Sequence, residues 1–175
     1  IIERTIVQVN VATNGEIDII SEHENIKEVK KERSRLTEDE YWSRLQDQSP
    51  DSVKTAKKII EYYRNNPPAF LTVRDNSIVV RYYDPESDEK ISLFFIRTDG
   101  VIECCHMTIK EQFERFDLDK KIMNKYLNEM RKILKNSTEK LSIYQHIKKI
   151  DSDKFISITD DFIESLLNSH KDIEI

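Results

Sequence analysis

The residue types best suited to chemistry lie near the start of this 175-residue sequence. Asp18 sits in the run Gly15-Glu16-Ile17-Asp18-Ile19-Ile20, and Glu28-Val29-Lys30 follows ten residues later. Two carboxylates on neighbouring elements can hold a hard divalent cation, magnesium or manganese, and a lysine beside them can orient the attacking water. Asp18 and Glu28 are therefore the candidate metal ligands, and Lys30 the candidate catalytic residue. The competing assignment places Asp18 on the solvent side of a hairpin and Glu28 and Lys30 on the charged face of a helix, where such pairs add a few tenths of a kcal/mol.

A second cluster, Cys104-Cys105-His106, invites a thiol or metal role. In a strand only Cys104 and His106 share a face, and two ligands do not make a zinc site. The cysteines read as small apolar residues of a sheet.

A third set is cationic and aromatic. Lys27, Lys30, Lys31, Arg33 and Arg35 can grip phosphates, and Phe70, Tyr82, Tyr83, Phe94 and Phe95 can stack on bases. Glu28 and Glu32 dilute the basic run, which also fits a solvated helix face, and the aromatics also fit a core. Tyr82 and Tyr83 discriminate between the two, because adjacent strand residues point to opposite faces. Phosphate-binding loops, dinucleotide glycine patterns, GxSxG elbows and HExxH helices are absent from the sequence.

The elements that must position these residues are legible in outline. Residues 6–11 alternate apolar and polar, Asn14-Gly15 supplies a turn, and residues 16–20 resume the strand. Residues 24–35 carry the sparse apolar pattern of an exposed helix. Leu36-Thr37-Glu38-Asp39-Glu40-Tyr41 starts a helix, with Thr37 as cap, Glu40 closing the capping box and Leu36 positioned to staple onto Tyr41. Ser49-Pro50 starts another, in which Val53, Ala56, Ile60 and Tyr63 form an apolar stripe.

Four strands follow over residues 70–74, 78–83, 91–97 and 101–106, joined by short polar links that favour an antiparallel meander. Asp99-Gly100 is the firmest turn, since glycine accepts the left-handed conformation. Residues 109–116, 118–134 and 141–150 are predicted helical. A last helix is predicted from Thr159, with Ile158 stapling onto Ile163, to about His170. The fold class is α+β: an antiparallel four-strand meander packed by helices, preceded by a β-hairpin and followed by a helical C-terminal third. Residues 1–35 form the hairpin and bridging helix, and 36–175 the α+β domain, together one compact unit.

Composition bounds the rest. With 38% hydrophobic and 35% charged residues the chain can support one core, which at this size buries about 70% of the unfolded surface. A net charge of -5 gives no global cationic field, so nucleic acid would have to meet a local patch. Two adjacent cysteines and no long apolar run point to a soluble protein of the reducing cytoplasm, with no membrane partner. The first residue is Ile1, which suggests a trimmed start or a domain cut from a longer protein.

Asp18, Glu28 and Lys30 together resemble the signature of the PD-(D/E)XK nuclease superfamily, which implies metal at the two acids and water activation at the lysine. From about Leu36 to Leu167 the chain also resembles a prokaryotic accessory domain associated with restriction-endonuclease-like proteins. That likeness rests on the start at residues 36–41, the helix after Pro50, and the hairpin Ile91-Ser92-Leu93-Phe94-Phe95-Ile96-Arg97-Thr98-Asp99-Gly100-Val101-Ile102-Glu103. It implies a non-catalytic module that binds nucleic acid or a nuclease partner and needs no cofactor. The alternative is a small or degenerate metal-dependent nuclease using magnesium or manganese.

Overall fold

A computed structural model of the chain describes residues 6–11, 17–22, 36–84, 88–104, 106–137 and 143–169. Contacts divide the chain into two units, Ile1–Ser34 and Arg35–Ile175. In the first unit, strands β1 (Ile6–Val11) and β2 (Ile17–Glu22) pair antiparallel, with Val9 opposite Ile19 and Asn10 opposite Asp18. The predicted bridging helix at 24–35 lies outside the described residues.

The second unit opens as its capping residues dictate. Helix α1 (Glu38–Gln48) begins at Thr37, whose Oγ1 accepts from the Glu40 backbone N–H while the Glu40 carboxylate accepts from the Thr37 N–H at 2.7 Å. Three acids in the first turn complement the positive end of the helix dipole. Pro50 then starts a single 3-10 turn, Pro50–Ser52, which runs into helix α2 (Val53–Arg64). The α2 stripe buries Ala56, Ile60 and Tyr63 as predicted, with Ile59 beside them.

Strands β3 (Ala69–Val73), β4 (Ser77–Asp84), β5 (Glu89–Arg97) and β6 (Val101–Cys104) form the expected meander. The sheet does not stop there. Its order is β3-β4-β5-β6-β8-β7, entirely antiparallel, where β7 is Asn136–Ser137 and β8 is Ile143–His146. The helix predicted at 141–150 is thus corrected to a strand followed by a 3-10 turn, Ile147–Lys149. Ile143, Ile147 and Ile150 have helical spacing, but the free edge of β6 offers a ladder. On that ladder Ile143 and Gln145 are buried while Tyr144 and His146 are half-buried. The C-terminal third is accordingly helical with two strands inserted.

The strand predicted to run through His106 ends at Cys104, and helix α3 (His106–Arg115) begins there. Helix α4 (Lys120–Ile133) is capped by Asp119, which accepts from the Lys121 N–H at 2.8 Å. Helix α5 (Ser152–Ser169) starts seven residues before the predicted Thr159. Asp151 accepts from the backbone of Asp153 and Lys154 and acts as the cap, whereas Thr159 is buried in mid-helix and donates back to the Phe155 carbonyl at 3.0 Å.

The core lies between the sheet and the helices. Phe94 meets Tyr63 of α2 at 5.5 Å and Phe155 of α5 at 4.8 Å, both edge to face, and Phe162 of α5 stacks on Tyr126 of α4 at 4.1 Å. Helix α3 does a different job. Beyond Phe94, β5 has lost β6 as a neighbour, and the Gln112 side chain takes its place, accepting from the Ser92 N–H and donating to the Lys90 carbonyl. A side-chain amide thus satisfies a strand edge that a backbone would otherwise pair.

Candidate binding surface

The ladder register sorts side chains into two faces. One row across the sheet is Leu71, Val80, Phe94, Cys104 and Ile143. Phe94 lies against α2 and α5, so this row faces the helices. The next row, Thr72, Val79, Phe95, Glu103 and Tyr144, points the other way. At a bulge between Val80 and Arg81 the pairing steps from Phe94 to Ser92, which resets the alternation. Arg81, Ser92 and Phe70 therefore share the second face, as do Tyr83 and Lys90 two residues on and Arg97 at the far end of β5.

This second face carries Phe70, Tyr83, Phe95 and Tyr144 together with Arg81, Lys90 and Arg97. Lys90 is exposed and the other six are half-buried, while Ser77, Val79 and Ser92 on the same face are buried, as are the Nε atoms of Arg81 and Arg97. The Lys90 ammonium lies 5.9 Å from the centre of the Phe70 ring. Arg97 pairs with Asp99. The Tyr83 hydroxyl donates to Asp88 at 2.9 Å, and that bond to a carboxylate raises its pKa. Glu103 is the single acid in the row through Phe95.

The sequence candidates fare unevenly. Tyr82 has no exposed surface and belongs to the core, so it cannot stack on a ligand; Tyr83 remains on the open face. Phe94 is likewise core, whereas Phe70 and Phe95 lie on the second face. Only the strand placement of Asp18 is described, in β2. Glu28, Lys30, Lys27, Lys31, Arg33 and Arg35 lie outside the described residues. Cys104 is buried and its thiol is pushed up to about 12 by burial, which leaves no nucleophilic thiolate at neutral pH. Among the described residues no group of three His, Cys, Asp or Glu is placed to hold a metal ion.

Sequence reasoning missed a polar cluster that closes only in three dimensions. Ser49 and Ser52 share a hydrogen bond of 2.7 Å, and their hydroxyls lie 3.3 Å from Nε2 and 3.5 Å from Nδ1 of His146. Gly100, with φ at +79°, packs directly on both serines and the ring. Its carbonyl accepts from the Ile147 N–H at 2.8 Å. Burial, then Lys148 and Lys149, lower the His146 pKa, partly opposed by Asp99 and Asp51. The Ser–His pair matches acyl-transfer machinery in composition alone: both serines are buried and bond each other, so no hydroxyl is presented to a substrate. The cluster clasps the turn before α2, the β5–β6 turn and the end of β8.

Two hollows lie on the described surface of the helices. A shallow one of about 560 Å³ on α2 is lined by Lys54, Lys57, Lys58, Glu61, Tyr62, Asn65 and Asn66, where Lys58 pairs with Asp153 and Lys57 lies over Trp42 at 5.7 Å. A groove of about 160 Å³ between α4 and α5 has Ile122, Tyr126, Ile158 and Phe162 as its apolar lining. No described helix is long and apolar enough to cross a membrane. No protein-family model, curated protein or solved structure matches this chain.

Proposed function

We propose that the second unit is a non-catalytic binding module for single-stranded nucleic acid, and that its working surface is the sheet face turned away from α2 and α5. One observation carries this reading: the strand register gathers Phe70, Tyr83, Phe95 and Tyr144 with Arg81, Lys90 and Arg97 on that face. Aromatic rings on one face of neighbouring strands offer stacking platforms worth about 1–3 kcal/mol per base, and every base has a face to stack. Cations between them meet the phosphates and make affinity salt-dependent. The chemistry tolerates sequence, which suits a module serving a nuclease carried on another domain or chain, the setting implied by the resemblance to accessory domains.

The test is a fluorescence-anisotropy titration of a labelled oligothymidylate and an oligouridylate. Wild type is expected to bind, with Tyr83→Ala and Tyr144→Ala each weakening affinity about tenfold, as the loss of one stacked base implies. Lys90→Ala should flatten the dependence of log affinity on log salt by about 0.7 if it neutralises one phosphate. Absence of binding at low salt, or binding indifferent to all three substitutions, would rule out the sheet face as the working surface.

A further inference from the structure

The outer edge of β3 has a composition and hydrogen-bond geometry that its sheet leaves unused. Tyr83 donates to the Pro68 carbonyl at 3.1 Å and Arg74 donates to the Ser77 carbonyl at 2.8 Å, which fixes the phase of the β3–β4 ladder. In an antiparallel pair alternate residues bond inward, so Pro68, Phe70, Thr72 and Arg74 face β4 while Ala69, Leu71 and Val73 face outward. The Ala69 N–H turns back to the Asn66 carbonyl. That leaves the N–H groups of Leu71 and Val73 and the carbonyls of all three aimed away from the sheet. No described strand pairs with this edge.

Exposed edges are ordinarily blunted by charge, by proline within the strand or by shortness. The other edge obeys that rule, since β7 is two residues long. The sequence of β3, Ala69-Phe70-Leu71-Thr72-Val73, has no charge and no proline. We infer that β3 pairs antiparallel with β3 of a second copy of this chain across a two-fold axis at Leu71, joining two sheets into one.

The register favours a second copy over an unrelated peptide. A two-fold at Leu71 sets Leu71 opposite the partner's Leu71, Phe70 opposite the partner's Thr72, and Ala69 opposite the partner's Val73. Arg74 then faces the partner's Pro68 and Asp75 the partner's Pro67, so no like charges confront each other. The outward groups meet as donor and acceptor: the two Leu71 residues exchange both their bonds, and each Val73 N–H reaches the partner's Ala69 carbonyl. Ala69, whose N–H is already held by the Asn66 carbonyl, serves there only as an acceptor, and the two Val73 carbonyls stay with solvent. An isologous closed pair of this kind ends the sheet edge and cannot propagate. It also sets Phe70 and Thr72 of the two copies side by side on the second face.

The experiment is sedimentation of the full chain over a concentration series, with amide exchange read at both extremes. The mass is expected to move from 20.8 kDa toward twice that value. The Leu71 and Val73 amides should gain protection as the dimer forms, while Phe70 and Thr72, already bonded to β4, should not change. Leu71→Pro deletes an outward donor and spares the inner ladder, so that variant should remain monomeric. A chain that stays monomeric at every concentration overturns the inference. So does a dimer in which Leu71 and Val73 exchange as fast as in the monomer, a result read on wild type whether or not the proline variant folds.

Discussion

Replacing Gly100 by alanine should cost this fold a large part of its stability. A Cβ there would stand 2.5 Å from the Ser49 Oγ, 2.5 Å from the Ser52 Oγ and 2.9 Å from the His146 Cε1. None of the three is the end of a long side chain. Both serines are buried and bonded to each other, and the ring is held from both sides. Two penalties add. The left-handed backbone at φ +79° costs a non-glycine residue about 1–2 kcal/mol. Forcing a methyl into filled space costs about 1–3 kcal/mol more.

The sum, roughly 2–5 kcal/mol, is a large share of the ~5–15 kcal/mol that holds a typical domain together. Urea denaturation of wild type and Gly100→Ala, followed by far-ultraviolet circular dichroism, measures it. Gly100→Ala combined with Ser52→Ala should recover part of the packing term and none of the backbone term, giving a favourable coupling energy of about 1 kcal/mol in a double-mutant cycle. A Gly100→Ala protein within about 0.5 kcal/mol of wild type, the scatter of ordinary surface changes, would refute the clasp.

Two other outcomes follow from the same packing. His146 has a lowered pKa in the fold, from burial and from Lys148 and Lys149, so the unfolded chain binds its proton more readily. Its contribution is therefore complete above the unfolded value near 6.5 and is lost as pH falls below it. Wild type should lose more stability than His146→Gln between neutral and mildly acidic pH, and parallel profiles would show that the ring does not sense protons. Tyr82→Ala, at a wholly buried position, should cost about 3–5 kcal/mol, while Tyr83→Ala should cost under about 1 kcal/mol; equal losses in thermal or urea melts would contradict the two-faced assignment of β4.

Local signals were legible in the sequence because their physics is local. The Thr37–Glu40 capping box, Pro50 at the head of its turn, the α2 stripe and the Asp99-Gly100 turn each involve residues a few positions apart, and each forms as read. The failures involve choices decided by a distant partner. Ile143, Ile147 and Ile150 have helical spacing, and the β6 edge, far upstream in the chain, makes residues 143–146 a strand. The start of α5 is set by Asp151, whose capping competes with the staple-like Ile158 and Ile163. The clasp joins Ser49 and Ser52 to a histidine 97 and 94 residues away, a distance over which spacing carries no signal.

The candidate surface was half legible. Tyr82-Tyr83 announced that one tyrosine must face out, and the alternation alone does not say which. The bulge at Val80 and Arg81 reverses the phase within β5, so Ser92 and Phe95 share a face although simple alternation would separate them. Tyr144 was hidden by the helical reading of its segment.

Whether the second sheet face takes single-stranded nucleic acid can be read residue by residue, by mapping backbone amide shifts of the isotope-labelled chain during titration with an oligothymidylate. The largest changes are expected on Phe70, Tyr83, Lys90, Phe95 and Tyr144, with residues of α4 and α5 unmoved. Shifts confined to the Lys54, Lys57 and Lys58 hollow on α2, or no shifts at all, would contradict that assignment.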